Sequence, residues 1–323
     1  MECAERQDEA VEGAPARARE FAPSPYRDLA PDQVASDHRS KLRHIRNRTV
    51  GGIGAMLAIT ALAVVWGGTS VAPVAVASFL LASSAALASE RGAVSRQWSA
   101  LTQVASADCD PDKLLRILDA LGEKDRGAAD DLLVWYGTCL ALTGDAPAAF
   151  EVARSLDSGT GARAAAPGVA SAAAPVAART RRTRAATVAR ELNAASIRLT
   201  VAARSGDREG LASALAKARE VDGRLRPTDP LRVAAAALEA EGELELALAD
   251  GDPAACEAPL RELASCAGTR LRHVCYVFDR ARVREASGDA AAASADFSYV
   301  VEQGGTLALR EEARAATERL SAG

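Results

Sequence analysis

Four side chains in the C-terminal third, Cys256, Cys266, His273 and Cys275, are of types that hold zinc. Zinc ligands come as close pairs on short loops. Here His273 and Cys275 fall two residues apart, on different faces of one predicted helix, and no CxxC pair occurs. The six cysteines, Cys3, Cys109, Cys139, Cys256, Cys266 and Cys275, read instead as small hydrophobes in a reducing compartment. No metal site is expected. Candidates for acid–base work fare no better. His38 and His44 lie in a basic run, which leaves His273 among Leu271, Val274 and Tyr276, the surroundings of a packed or surface residue. Glu239, Glu241, Glu243 and Glu245 read as an exposed helix stripe rather than a catalytic pair. No glycine-rich loop leads into Lys-Ser or Lys-Thr, and neither HExxH nor GxSxG occurs. Gly159 and Gly161 sit in low-complexity sequence, where glycine is common. Neither an enzyme nor a cofactor is expected.

The element that positions everything else is residues 49–88, forty residues without a charged side chain in a chain that is 25% charged. It divides at Gly67-Gly68-Thr69-Ser70 into two apolar runs, Val50–Trp66 and Val71–Ala88. As helices each would be roughly 25–27 Å long, at the short end of what a bilayer requires. Backbone polar groups in lipid must be bonded within the helix, so two such runs joined by a polar turn predict a transmembrane helical hairpin. A basic segment, residues 39–48, precedes it with Arg39, Lys41, Arg43, Arg46 and Arg48, and Arg91 and Arg96 follow it. Positive charge stays inside, which places both termini in the cytoplasm and the hairpin in the cytoplasmic (inner) membrane. The same cations suit anionic lipid headgroups, and Trp66 suits the interface. Gly51, Gly52 and Gly54 would let helix backbones approach closely, within one hairpin or between copies. Residues 1–38 lack apolar periodicity and read as a disordered cytoplasmic tail.

Residues 89–109 form a helical connector, and an all-α region follows. Its apolar residues recur every three or four positions, and its glycines and prolines gather at a few points. Asp110-Pro111 is a capping signal, and Leu114, Leu115, Leu118 and Leu121 make a stripe behind it. Asp229-Pro230 repeats that signal. Four times a helical run ends in Gly-Asp and another begins, at Gly144, Gly206, Gly251 and Gly288. The glycine relieves one helix end while the aspartate caps the next start. Net charge is −4, so no bulk attraction to nucleic acid is expected.

Repeated helix–turn–helix units are the signature of an α-solenoid. The surrounding residues resemble tetratricopeptide repeats. Gly137 and Ala149 in the first unit, and Ala281 and Ala293 in the last, take that motif's two small positions, and Phe297 takes its later aromatic one. The middle units depart from it, with Leu199 and Leu211, then Leu244 and Cys256, in the small places. The first unit covers 110–157, a flexible Ala/Gly/Pro linker covers 158–178, and the remaining repeats cover 179–323. Arg179, Arg181, Arg182, Arg184 and Arg190 follow the linker without interleaved aromatics, and read as a solvated helix face.

The resemblance implies a protein-interaction array, with Tyr136, Leu140, Arg198, Arg280 and Arg284 as candidate contacts. The expectation is a membrane-anchored scaffold whose repeats hold a protein partner at the bilayer. The alternative makes the hairpin the working part, as a self-associating or pore-like effector regulated by the repeats.

Overall fold

A computed structural model describes residues 21–126, 130–158 and 176–322, and every regular element among them is helical. Residues 1–20 of the expected tail and 159–175 of the expected linker lie outside the described residues. So do the side chains of Gly67, Gly68, Thr69 and Ser70, and those of Arg179, Arg181, Arg182 and Arg184. The chain divides into two compact units. One is Ser24–Gln103; the other is Val104–Gly323 together with the described residues of Met1–Pro23.

The first unit begins with a turn at 24–29, closed by the Arg27 and Leu29 amides donating to the Ser24 and Tyr26 carbonyls. Helix α1 (Pro31–Ser106) follows. It therefore starts inside the stretch read as tail. Proline suits the first helical position, and the Ala30 amide donates to Gln33 Oε1, a local cap that needs no apolar periodicity.

A straight helix of 76 residues would be roughly 110 Å long. The His38 and Trp98 rings nevertheless stand 4.3 Å apart, so α1 doubles back into two arms, Pro31–Trp66 and Ala72–Ser106. Half-buried residues at spacings of three and four mark the contacting faces: Ile45, Thr49, Ile53, Met56 and Thr60 on one arm, Ala75, Phe79, Ala82 and Ala86 on the other. The outer faces are apolar and exposed, with Ile59 at 67% and Trp66 at 82%. Thr60 and Ser84 donate their hydroxyls to the carbonyls of Met56 and Leu81, so these polar groups are satisfied within their own helices. Both arms are long enough to span a membrane, and each contains an 18-residue stretch apolar enough to do so, at mean hydropathies of 1.9 and 1.7.

The second unit is a sequential helical array: α2 (Pro111–Arg126), α3 (Asp130–Thr143), α4 (Ala146–Ser158), α5 (Val176–Ser205), α6 (Arg208–Asp222), α7 (Leu231–Ala249), α8 (Glu257–Cys266), α9 (Arg270–Ala286), α10 (Ala290–Gln303) and α11 (Leu309–Ala322). Each helix packs on the next, and α3, α5, α7 and α9 also pack in succession. The Gly-Asp turns make the reversals. Gly144 and Gly288 sit at φ +93° and +84°, in the left-handed region that side chains disfavour, and Gly206 and Gly251 repeat the geometry. The aspartate amide after each glycine donates back to the preceding helix, as Asp207 does to Ala202 at 3.0 Å. The aspartate carboxylate then accepts from the first turn of the following helix, as Asp289 does from Ala292 at 3.1 Å. Asp110 caps α2 in the same way, through the Lys113 amide.

Small residues set the spacing. A Cβ on Gly137 would come within 2.6 Å of Val152 and 2.7 Å of Ile197, so α3 meets α4 and α5 only because that carbon is missing. Ala149, Ala281 and Ala293 are fully buried at the corresponding places. The middle of the array solves the problem differently. Leu199 is large, and Gly242 on α7 makes room for it: a Cβ there would lie 2.9 Å from Leu199 Cδ1.

The last loop returns to the start of the array. The Thr306 amide donates to the Cys109 carbonyl, its hydroxyl pairs with Asp110, and the Ala308 amide donates to the Leu142 carbonyl. Arg204 joins the same corner by donating to the carbonyls of Ala141 and Leu142.

Candidate binding cavity

Helices α3, α5, α7 and α9 each turn one face toward a common cavity of about 380 Å³. The faces repeat at helical spacing. Val134, Trp135, Thr138 and Leu142 come from α3, and Leu192, Asn193, Ser196 and Thr200 from α5. Ala234, Leu238 and Glu241 come from α7, while Leu271, Arg272, Cys275, Tyr276 and Asp279 come from α9. Leu263 and Cys266 of α8 complete the wall. The lining is apolar with a few polar groups, and its size falls in the range of ordinary ligand pockets. Odd-numbered helices supply most of the lining because α4, α6 and α10, return arms of Gly-Asp turns, pack behind their partners.

The wall carries an excess of acid. Burial, then the neighbouring Glu245, push the Glu241 carboxyl up to about 7 against the pull of Arg272. Burial and Glu245 likewise hold Asp279 well above the usual carboxylate range, opposed by Arg282. Glu245 itself is buried and takes both guanidinium nitrogens of Arg282, whose nearest approach to Asp279 is 3.9 Å. Cys275, on the same wall, has its thiol pushed up by burial and by Asp279.

The residues singled out from sequence lie elsewhere. Tyr136 donates its hydroxyl to Asp119 at 3.3 Å, and Leu140 is buried in the contact of α3 with α4 and α5. Arg198 pairs with Asp157. Arg280 and Arg284 are brought together on the buried Asp296, at 2.7 Å each, and Arg280 also stacks 5.4 Å from the Tyr276 ring centre. These five residues complete helix–helix contacts, while the cavity is lined by others, Trp135, Asn193, Ser196, Glu241 and Asp279 among them. The cavity-facing signal was present as polar residues spaced by three and four, Asn193, Ser196 and Thr200, inside otherwise apolar runs.

In the hairpin unit, Arg43, Arg46 and Arg48 are exposed, Arg39 is half-buried, and Lys41 pairs with Asp37 at 2.7 Å and lies over the Tyr26 ring. A Cβ on Gly51, Gly52 or Gly54 would meet nothing within 4 Å, so these glycines make no contact between the arms. Of the residues weighed as zinc ligands, Cys256 is buried between α7 and Val283, Cys266 and Cys275 face the cavity, and His273 stands among Phe21, Tyr276 and Tyr299. Among the described residues no group of three or more His, Cys, Asp or Glu side chains is placed to hold a metal ion. No protein-family model, curated protein or solved structure matches the chain.

Proposed function

We propose that the protein is a membrane-anchored scaffold whose tetratricopeptide-like array binds a segment of a partner protein in the cavity. The observation that carries this reading is the shared cavity itself, to which four successive odd-numbered helices each contribute one face. A solenoid of helix pairs offers its inner helices to an extended or helical peptide in this manner. The hairpin supplies the address. Exposed apolar arms suit lipid, and the cations of residues 39–48 suit the cytoplasmic leaflet, which supports an array inside the cell together with both termini. Holding a partner at the bilayer raises its effective concentration there without requiring tight binding. No catalytic step is assigned to the chain.

The test is site-specific photo-crosslinking of the full chain in its membrane. A crosslinker at Ser196, on the cavity wall, is expected to capture one discrete partner, whereas one at exposed Arg154 captures none. Equal capture from both positions, or none from Ser196, would sink the reading.

A second reading is favoured by the open space over Gly51, Gly52 and Gly54, which fits association of hairpins between copies. Replacing all three with leucine separates the two: a tether keeps its partner, and an oligomer comes apart in chemical crosslinking.

A further inference from the structure

The cavity wall carries two acids, Glu241 and Asp279, and the latter's one ion pair among the described residues is a 3.9 Å approach of Arg282. Glu241 on α7 and Asp279 on α9 share that wall with Trp135, Leu238, Leu271 and Tyr276, and with the polar Asn193, Ser196 and Arg272. Glu241 and Asp279 line the cavity, and the buried Glu245 adds a third carboxylate close by. Arg282 is the inner cation, and it is engaged by both oxygens of Glu245. Arg272 is exposed and makes no ion pair with either wall acid. Glu241 forms no hydrogen bond or ion pair among the described residues. Acidic groups in a poorly hydrated concave site are costly unless a cation or donor reaches them.

The chemistry of the wall narrows what that cation is. A divalent metal takes six or more oxygen ligands, and two carboxylates set among leucine and aromatic rings do not provide them. A basic side chain fits on every count. Its aliphatic stem lies along apolar surface, its donors reach acids on two adjacent helices, and a guanidinium stacks on aromatic faces.

Resting on the docking role proposed above, we infer that the occupant is a segment of a partner protein presenting an arginine or lysine between apolar neighbours, and that Glu241 and Asp279 receive its charge. The acids are the specificity element; the rings and leucines supply the sequence-tolerant part of the contact.

The experiment uses the full chain in lipid nanodiscs and a dodecapeptide library in four pools, with Arg, Lys, Gln or Glu fixed at the centre and the flanks randomised. The wild type is expected to bind the Arg and Lys pools about tenfold better than the Glu pool, as charge-assisted pairing implies. In the E241Q/D279N double variant that preference falls to about twofold or less, because amides of the same shape keep the cavity but not its charge. The single variants E241Q and D279N give intermediate preferences, which keeps the test usable if the double variant melts early. Trp135→Ala weakens all four pools alike. If the Gln and Glu pools bind as well as the Arg pool and the double variant changes nothing, the charge inference is overturned. The docking reading then still stands, provided Trp135→Ala weakens binding. If no pool binds above background, both are overturned.

Discussion

The hairpin and the helical array are built from the same alanine- and leucine-rich alphabet, yet they treat it in opposite ways. In the array, Leu114, Leu199 and Leu244 are fully buried, and four of the reversals are specified by capped Gly-Asp turns. In the hairpin, Leu57 is 55% exposed and Leu62 is 52% exposed, and glycines stand in open space. Hydrophobicity alone therefore does not separate a core helix from a membrane arm. What separates them is whether the small residues are in contact: Gly137 has two side chains pressed against it, and Gly51 has none. Water drives the first kind of packing, while the second requires that lipid or another helix cover the surface.

Substitutions sharpen this contrast. The largest effect is expected in the array, where Asp296 is 3% exposed beneath Arg280 and Arg284. Asp296→Ala strands two cations and should lower stability by about 3–5 kcal/mol, read as a fall in melting temperature of the full chain in detergent. Gly137→Val should lower it by about 3 kcal/mol through overpacking against Val152 and Ile197, whereas Gly51→Val should leave the same melting curve in place. A hairpin substitution breaks a different property. Leu62→Arg puts a charge in the middle of an arm at a cost of about 3 kcal/mol for insertion. It should move the protein out of the membrane fraction while the array still melts cooperatively; unchanged fractionation would remove the case for a spanning hairpin.

Smaller effects follow at the turns and the cavity. Gly288→Ala forces a left-handed side chain at the last Gly-Asp turn and should cost about 1 kcal/mol, again read by melting. Glu241 has an ordinary value of 4.5 that rises to about 7 in the folded chain. Between those values the folded state keeps a proton that the unfolded chain has lost, so the group weakens the fold progressively as pH rises, and fully above about 7. Glu241→Gln should therefore raise the melting temperature at pH 8 and leave it unchanged at pH 4.

Much of this contrast was legible in the sequence because its signals are local. Gly-Asp pairs are read within five residues, and each of them makes the turn it encodes. The doubling of α1 was also legible, since two apolar runs joined as a hairpin were expected and His38 meets Trp98 across the two arms. The cavity was not. Both faces of α3 are apolar, so nothing within the helix tells Trp135, on the cavity, from Leu140, in the core. The choice is made by partners on α5 and α9, far away in the chain. The start of α1 at Pro31 was missed for the opposite reason, because its first turn rests on a proline and a glutamine cap in a stretch without an apolar stripe. Gly242 relieving Leu199 was illegible too, since the compensation lies on the neighbouring helix rather than in the same repeat.

The loop that carries Thr306 back to Asp110 joins residues 196 positions apart. A linear stack of helix pairs melts from its ends, because a terminal pair has one neighbour and frays first. Here the loop before the last helix is held to the start of the first, so neither behaves as a free end. Amide exchange at α2 and α11 should be slowed together and released together, with the protein opening as one cooperative unit. Such a closure also has a kinetic side, because a contact of that span forms only after the intervening helices are in place, making it a late event in folding.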